Sequence, residues 1–489
     1  MRSLSLSKFA VWIILVLVTL EVLSLSEWAL FPYLPDDLAF FTNLDAGFFT
    51  LVLPLSPLLL LMMLYAWVFE GARFSKQYSQ RFERALEVLV ETRDKILRWI
   101  VGSQPSNREE TRFFRYSRTW LLVALCSAVL IVYTPYRIDL NPTQIPVGID
   151  TPLYIGWIDQ MLTGSIGQAV AYAFGIANHG SRPFLLILLY VGTFAFGVSS
   201  VQIVEYLPIV LAPLLAISSF LLVRAGSKSE NTAVLAAFLT TLSFPITVGM
   251  WAGYYANWLA LIETNLFLAS FLITCRSFSK PHYAGVLALS LALLLTHPWT
   301  WALVLVLTIT FALSMWRTLQ FKRLITLLVP LLLTNLLVDA AKSYFFGSWG
   351  IATYVGVRAS GSGPLQLAGF WQNLVQGLVF TYDGLLSNSV ILLFAFLGAL
   401  SLKRSDVFDR LLILWTFLAS LVFPFLASYN QTRIVYDLPI PVLASIGALL
   451  FISRFKSSKT ISVLILLLIV LFNANYAIRT MVQLSAAIP

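Results

Sequence analysis

The chain alternates between long apolar runs and short polar segments. Most of the runs approach the roughly 20 residues that an α-helix needs to cross a bilayer. A transmembrane β-barrel would instead show short segments in which apolar and polar residues alternate. The pattern therefore predicts an all-α protein that crosses a membrane many times. The apolar runs are Phe9–Ser24, Phe48–Phe69, Thr119–Tyr136, Pro183–Ser199, Glu205–Val223, Thr232–Gly249, Ala256–Cys275, Tyr283–Thr296, Trp299–Trp316, Leu324–Ala340, Leu385–Leu402, Leu411–Ser428, Asp437–Phe455 and Thr460–Ile478.

The composition agrees with this prediction. Hydrophobic residues make up 59% of the 489 residues and charged residues 11%, whereas soluble domains carry about 25% charged residues. The net charge of +9 comes mostly from Lys and Arg between the runs, where basic residues mark cytoplasmic loops. It does not indicate nucleic-acid binding. Cys126 and Cys275 lie in separate apolar runs, and with only three histidines no zinc site is expected.

The basic segments predict the orientation of the chain. Arg73–Arg118 is strongly basic, so we expect it in the cytoplasm, with the run after it leading outwards. The later basic segments also lie inside if Tyr136–Glu205 crosses the membrane an even number of times, most simply none. Pro183–Ser199 is then a juxtamembrane helix in the outer leaflet; alternatively, it crosses together with Gln168–Ile176. The first choice predicts about thirteen transmembrane helices in the cell membrane, with the N-terminus inside and the C-terminus outside. The later basic segments are Arg224–Lys228, Arg276–Lys280, Arg317–Arg323, Lys403–Arg404 and Arg454–Lys459.

This topology divides the chain into four parts. Residues 1–118 form a two-span extension with an amphipathic cytoplasmic helix, and we expect its first span to be retained rather than cleaved as a signal peptide. Residues 119–340 hold seven spans and a long first outer loop at 137–204. Residues 341–384 form a second long outer loop, either a gate over a site or a linker. Residues 385–489 hold the C-terminal transmembrane helices.

Acids and bases gather on the predicted outer side, whereas the motifs of soluble nucleotide-binding, metalloprotease and serine-hydrolase sites are absent from the sequence. Asp150 lies in the first outer loop between Pro146 and Pro152, which stiffen the backbone around it. It is a candidate general base. Alternatively, it caps the helix that Thr151 and Pro152 begin. Asp139 is the second candidate acid.

Further candidates lie at the outer ends of later spans. His297, at the outer tip of a helical hairpin, either contacts a phosphate or a polar acceptor, or it caps carbonyls at the turn. Arg433 suits a lipid phosphate, because a guanidinium donates two parallel hydrogen bonds, or else it snorkels to the interface. The turn Trp251–Trp258, which includes Asn257, forms a sugar-binding surface or part of the interfacial aromatic belt.

The layout and the string Asp150-Thr-Pro-Leu-Tyr154 resemble the GT-C superfamily of membrane glycosyltransferases, over about Thr119 to Leu402. In that superfamily a long outer loop with a catalytic acid follows the first span of the module, and a second long outer loop helps to close the site. The stretch around Asp150, the turn Trp251–Asn257, and Arg433 with Pro439 are also similar to those of uncharacterised archaeal GT-C-like membrane proteins.

The resemblance implies an enzyme that takes its sugar from a polyprenyl (dolichyl) phosphate in the membrane lipid and acts on the outer face. Asp150 is then the base, and Arg433 holds the lipid phosphate with help from Arg182 or Lys342. In the mannosyltransferase-like branch a second acid follows the aspartate. Thr151 stands at that position here, which argues against a divalent metal held by paired acids. The implied substrate site comprises Arg433, His297, Arg182, Lys342, Tyr154, Asn257 and Trp251.

Two other functions remain open from the sequence. A transporter or flippase for lipid-linked glycans would place ionisable residues and helix breaks inside its spans, and Glu21, Glu263 and Pro330 lie inside apolar runs. A GT-C-like scaffold subunit that has lost catalysis in an envelope assembly would explain why Thr151 replaces the second acid.

Overall fold

The computed structural model describes residues 2–30, 91, 95, 117–316, 321–351, 389–403, 405–422, 436–455 and 458–486. All regular secondary structure in these ranges is helical. The second apolar run, the predicted amphipathic helix except for two of its residues, most of the second outer loop and Arg433 lie outside the described residues.

Sixteen α-helices are described, and they agree with the predicted all-α class. They are α1 (Arg2–Leu30), α2 (Ser117–Tyr133), α3 (Thr151–Leu162), α4 (Ile166–Ala171), α5 (Pro183–Phe196), α6 (Ser200–Ser227), α7 (Glu230–Thr241), α8 (Phe244–Ala252), α9 (Tyr255–Arg276), α10 (Lys280–Thr296), α11 (Pro298–Ser314), α12 (Phe321–Phe346), α13 (Ser389–Ser401), α14 (Val407–Val422), α15 (Ile440–Ile452) and α16 (Lys459–Ala486).

Seven helical stretches among the described residues are long and apolar enough to cross a membrane. Five shorter apolar helices accompany them. The class of polytopic helical membrane protein is therefore confirmed, while the count of about thirteen spans stays a prediction. The seven stretches are Val11–Leu30, Ser117–Tyr136, Ser200–Ser227, Glu230–Ala252, Tyr255–Arg276, Lys322–Phe346 and Lys459–Val482.

The most deeply buried span is discontinuous. The run predicted as one helix at Thr232–Gly249 divides into α7 and α8, because Ser243 adopts an extended backbone (φ −133°, ψ 177°) ahead of Pro245. The Tyr436 hydroxyl donates to the Pro245 carbonyl at 2.7 Å. The backbone N–H groups of Ile246 and Thr247, which a helix start would otherwise leave unpaired, donate to the Ser243 carbonyl at 3.0 and 3.3 Å. Such partners are needed at a break inside a membrane bundle, since an unpaired backbone group costs several kcal/mol there.

The first and last described helices pack side by side. Asn475 on α16 donates to the Glu21 carboxylate on α1 at 2.8 Å, and Ser24 donates back to Asn475 at 3.3 Å. Polar contacts of this kind hold helices together in lipid, where apolar surfaces gain little from meeting. The first helix is thus an integral part of the described bundle.

Helices α13 and α15 cross in backbone contact. A Cβ on Gly398 would overlap the Leu443 carbonyl oxygen, and one on Gly447 would overlap the Phe394 carbonyl oxygen. Small residues permit this approach between membrane helices.

Arginines gather at one end of the bundle. Arg276 donates to carbonyls at the C-terminal end of α6, Arg323 donates to Thr274 near the end of α9 at 2.9 Å, and Arg410 donates to Ser314 at the end of α11 at 3.1 Å. These contacts bring basic residues from separate segments together, and we name this the basic end. The opposite end, where α6 and α9 begin, is the loop end.

Helix α5 begins and ends at the loop end. Arg182, at its start, bonds to Tyr154, whose hydroxyl also meets the backbone at the beginning of α9. Near its other end, Gly192 packs against Ile203 in the first turns of α6. The first long loop thus holds three helices, α3 to α5, and α5 is not among the seven stretches long enough to cross.

Candidate functional site

The loop that carries Asp150 is clamped to the turn between α8 and α9. The backbone N–H of Ile149 donates to the Trp251 carbonyl at 3.1 Å, and that of Asp150 donates to the Ala252 carbonyl at 3.0 Å. Two main-chain segments about one hundred residues apart in sequence therefore fix the backbone of Asp150. This pairing, which we call the loop clamp, brings Asp150 and Trp251 together, as the prediction that both lie on one side of the membrane requires.

Two glycines make the loop clamp possible. Gly148 has a φ of +106°, and a Cβ there would lie 2.7 Å from the Met250 carbonyl oxygen. Gly253 has a φ of +66°, and its Cβ would lie 3.0 Å from the Asp150 nitrogen. A side chain at either position would be strained by the backbone angle and would also separate the two segments.

At the position where the resemblance expects a second acid, Thr151 connects the loop to α9 through its hydroxyl. Its side chain is fully buried. The hydroxyl donates to the Val147 carbonyl at 2.5 Å and lies 2.9 Å from the Tyr255 hydroxyl. A carboxylate here would sit inside the packed loop, not beside Asp150. Within the described residues no group of three or more His, Cys, Asp or Glu could hold a metal ion.

Asp150 occupies the N-cap position of α3 and is half-buried. The capping alternative therefore predicted the position correctly, with Pro152 in the first turn. However, the Asp150 side chain makes no capping hydrogen bond to this described helix. Its carboxylate is thus not needed to complete the helix, which leaves the group available for chemistry.

Tyr154 and Arg182, both predicted site residues, meet directly. The Arg182 guanidinium donates to the Tyr154 hydroxyl at 2.7 Å, and the Ala256 backbone N–H donates to the same oxygen at 3.3 Å. Both side chains are buried. Burial raises the pKa of the Tyr154 hydroxyl above its ordinary value, although the Arg182 charge acts to lower it. Tyr154 therefore stays a neutral phenol that anchors a buried cation one helical turn from Asp150.

Asp139, the second candidate acid, is held in an ion pair. Arg137 donates to its two oxygens at 3.2 and 2.5 Å. Arg137 also donates to the Ala29 carbonyl at the end of α1, at 3.1 Å. Arg137 thus connects the first helix to the loop after α2, and Asp139 holds the Arg137 side chain in position.

The first long loop contacts the beginning of the second long loop. Lys342 donates to the Gly180 carbonyl at 3.3 Å and lies 3.7 Å from an oxygen of Asp339. The His179 ring stacks on Trp349 with 3.9 Å between the ring centroids. Lys342, predicted as a phosphate ligand, is thus buried at the junction of the two loops.

Asn257 and Trp251 flank the loop clamp. Asn257 is 1% exposed, and its amide nitrogen has no hydrogen-bond partner among the described residues. Trp251 is half-buried and uses its carbonyl in the clamp. The buried position of Asn257 fits an interior role better than a place in an aromatic belt at the membrane surface.

His297 lies at the tip of the hairpin between α10 and α11, as predicted, and its side chain is fully buried. Its Nδ1 accepts from the Thr300 backbone N–H at 3.3 Å, so His297 caps the start of α11. The capping alternative expected a cap on carbonyls, and the group that is capped here is an N–H instead. The Thr300 hydroxyl lies 2.8 Å from the same nitrogen and 3.0 Å from Asp437. Next to His297, the Thr296 hydroxyl donates to Glu263 at 2.9 Å.

Sequence reasoning missed the two threonines of this buried cluster. The string Thr296-His-Pro-Trp-Thr300 contains the available signal: a polar residue before a proline begins a helix, and the third residue inside completes the cap. Its connection to Glu263 and Asp437 could not be read from the string, because both lie far away in the sequence.

No family model and no curated protein matches this chain. The functional argument therefore depends on the site itself.

Proposed function

We propose that the chain is a GT-C-type membrane glycosyltransferase that transfers a sugar from a polyprenyl (dolichyl) phosphate to an acceptor on the extracytoplasmic face. In this proposal about thirteen spans cross the cell membrane, the basic end faces the cytoplasm and the loop end faces outside. The observation that supports it most is the setting of Asp150. The loop clamp holds this acid at the loop end, one turn from the buried Arg182–Tyr154 pair.

In the proposed reaction, the acceptor hydroxyl attacks C1 of the sugar as the bond from C1 to the phosphate oxygen breaks. The Asp150 carboxylate takes the hydroxyl proton, and the phosphate leaves with the bonding electrons. Configuration at C1 inverts because attack comes from the face opposite the leaving group. A base that the backbone fixes in place suits this role, since misplacement by 1 Å can reduce a rate by about 100-fold.

A leaving phosphate is stabilised by positive charge at fixed positions. Among the described residues, Arg182 is the cation that we assign to this task, because the Tyr154 hydroxyl orients it at the loop end. Lys342 is a weaker candidate, since Asp339 already balances its charge. Arg433 retains its predicted role in the proposal, although it lies outside the described residues.

The decisive experiment compares Asp150→Asn with Asp159→Asn in membranes supplied with labelled dolichyl-phosphate sugars. Asp159 is the matched control, because it is an exposed acid on the same helix. We expect Asp150→Asn to lose transfer while protein level and thermal stability are kept, and Asp159→Asn to stay active. Undiminished transfer by Asp150→Asn would remove Asp150 from the mechanism.

A transporter or flippase for lipid-linked glycans is the second candidate. It is favoured by the break between α7 and α8 inside a fully buried span and by Glu263 at membrane depth, because transporters bind ligands at broken helices and intramembrane acids. Flipping of a labelled polyprenyl-phosphate sugar in proteoliposomes separates the two candidates. Movement of the lipid without any sugar transfer would favour transport.

A further inference from the structure

The tip of the α10–α11 hairpin is buried inside the helix bundle. Thr296 and His297 are both fully buried, and Thr296 donates to Glu263 at 2.9 Å. Glu263 is eight residues after the start of α9, about 12 Å along the helix axis at roughly 1.5 Å per residue. A polar turn at this depth is expensive unless its groups are paired or used.

The polar atoms at this tip form a linear chain. Nδ1 of His297 lies 2.8 Å from Oγ1 of Thr300, which lies 3.0 Å from Oδ2 of Asp437. Two contacts between three heavy atoms need two protons, and the threonine hydroxyl supplies only one. The second proton must come from one end of the chain, either from Nδ1 of the imidazole or from the carboxyl of Asp437.

Each of these two arrangements satisfies both contacts. In the first, Nδ1–H donates to Thr300, and Thr300 donates to an ionised Asp437. In the second, a protonated Asp437 donates to Thr300, and Thr300 donates to a bare Nδ1. The Thr300 backbone N–H, which points at Nδ1 from 3.3 Å, matches the second arrangement, because it needs an acceptor there. Donation from the Thr300 hydroxyl to Asp437 matches the first, so the geometry accommodates both.

We propose that His297, Thr300 and Asp437 form a proton relay inside the bundle. As the Nδ1–H bond of the His297 imidazolium breaks, Oγ1 of Thr300 takes that proton and releases its own to Oδ2 of the ionised Asp437, while Nε2 of His297 keeps its proton and the ring becomes neutral. The lone pair stays on nitrogen, the threonine is unchanged, and the total charge of the three groups is conserved. The substrate of this site is a proton, and the proposal does not depend on sugar transfer at Asp150.

Glu263 contacts the residue next to His297 in the chain. Its Oε1 accepts from Thr296, and its Oε2 has no hydrogen-bond partner in the described part of the chain, so a second proton position lies beside the hairpin tip. Other ionisable residues on the described elements packed against the hairpin, on the side of the loop end, include Tyr436, which donates to Pro245, Tyr255 at the start of α9, Arg182 at the start of α5 and Tyr190 within it, and Asp339, Lys342 and Tyr344 on α12. Cys275 and Arg276 on α9, Lys280, His282 and Tyr283 on α10, and Lys322 and Arg323 on α12 lie towards the basic end. Asp409 and Arg410 on α14 belong to the basic end.

Histidine labelling with 15N tests the relay in the full-length protein in nanodiscs. The chain has only three histidines, and His297→Gln identifies the signal of interest. Proton occupancy of Nδ1 is followed against pH in the wild type and in three variants: Thr300→Val removes the bridging hydroxyl, Thr300→Ser keeps it, and Asp437→Asn removes the far proton position.

We expect Thr300→Ser to titrate like the wild type, and Thr300→Val to move the Nδ1 midpoint by about one pH unit or more, because Nδ1 loses the hydroxyl that hydrogen-bonds it to Asp437. The infrared carbonyl band of protonated Asp437 should be present in the wild type and in Thr300→Ser, and Asp437→Asn should lack it. A midpoint in Thr300→Val equal to that of the wild type would overturn the relay. If Thr300→Val does not fold, equal Nδ1 occupancy in Asp437→Asn and the wild type would overturn it instead.

Discussion

Replacing Gly148 by alanine should break the loop clamp that fixes the backbone of Asp150. At φ +106° a residue with a side chain is strained by about 1–3 kcal/mol. The new Cβ would also lie 2.7 Å from the Met250 carbonyl oxygen, and overpacking of this kind costs about 1–3 kcal/mol. The loop can escape the overlap only by giving up the two backbone hydrogen bonds of the loop clamp, at about 1 kcal/mol each.

We therefore expect Gly148→Ala to lower the free energy of unfolding by about 2–4 kcal/mol. Sugar transfer by the folded protein should also fall, by about 100-fold, because the Asp150 carboxylate moves away from its position. Thermal unfolding of the purified protein in detergent measures the first quantity, and sugar transfer below the unfolding temperature measures the second.

Gly156→Ala is the matched control. Gly156 lies inside α3, and a Cβ there meets nothing within 4 Å among the described residues, so alanine should be neutral or stabilise the helix by up to about 1 kcal/mol. If Gly148→Ala were as stable and as active as Gly156→Ala, the loop clamp would not be what positions Asp150.

Three further predictions concern other contacts. Gly398→Ala should reduce the yield of folded protein because its Cβ would overlap the Leu443 carbonyl, whereas Gly285→Ala, with open space around it in the described structure, should not; detergent gel filtration distinguishes them. Tyr154→Phe should destabilise by about 1.5–3 kcal/mol, and combining it with Arg182→Lys should cost less than the two changes added, as a double-mutant cycle would show. Because burial raises the pKa of Tyr154, its contribution to stability is complete below the ordinary value of 10.0 and is lost as pH rises above it. The alkaline decline in melting temperature should therefore be shallower in Tyr154→Phe, and an identical decline would contradict the assignment.

The sequence predicted those parts of the fold that the membrane imposes. A chain in lipid must satisfy its backbone within each segment, so long apolar runs become helices, as α1, α6, α9, α12 and α16 do. The division of the Thr232–Gly249 run was missed, although Ser243 followed by Pro245 is a helix-start signal that the run contains.

The candidate site was only partly predictable. The N-cap position of Asp150 follows from the adjacent Pro152, because capping depends on neighbours in sequence. The Thr151 hydroxyl contacts Tyr255, which is 104 residues away in the sequence. No local sequence pattern could have predicted that contact. The pairing of Tyr154 with Arg182 was missed for the same reason.

The contact between Glu21 and Asn475 spans 454 residues. At a synthesis rate of about 5–20 residues per second, the Glu21 carboxylate waits roughly 20 to 90 seconds for its partner after it has been made. During that interval an acid in an inserted first helix is exposed to lipid or to whatever insertion machinery receives it. The contact between α1 and α16 therefore forms only after α16 has been made. A chain that stops before α16 carries the Glu21 carboxylate without its Asn475 partner, and incomplete molecules could be recognised by that acid.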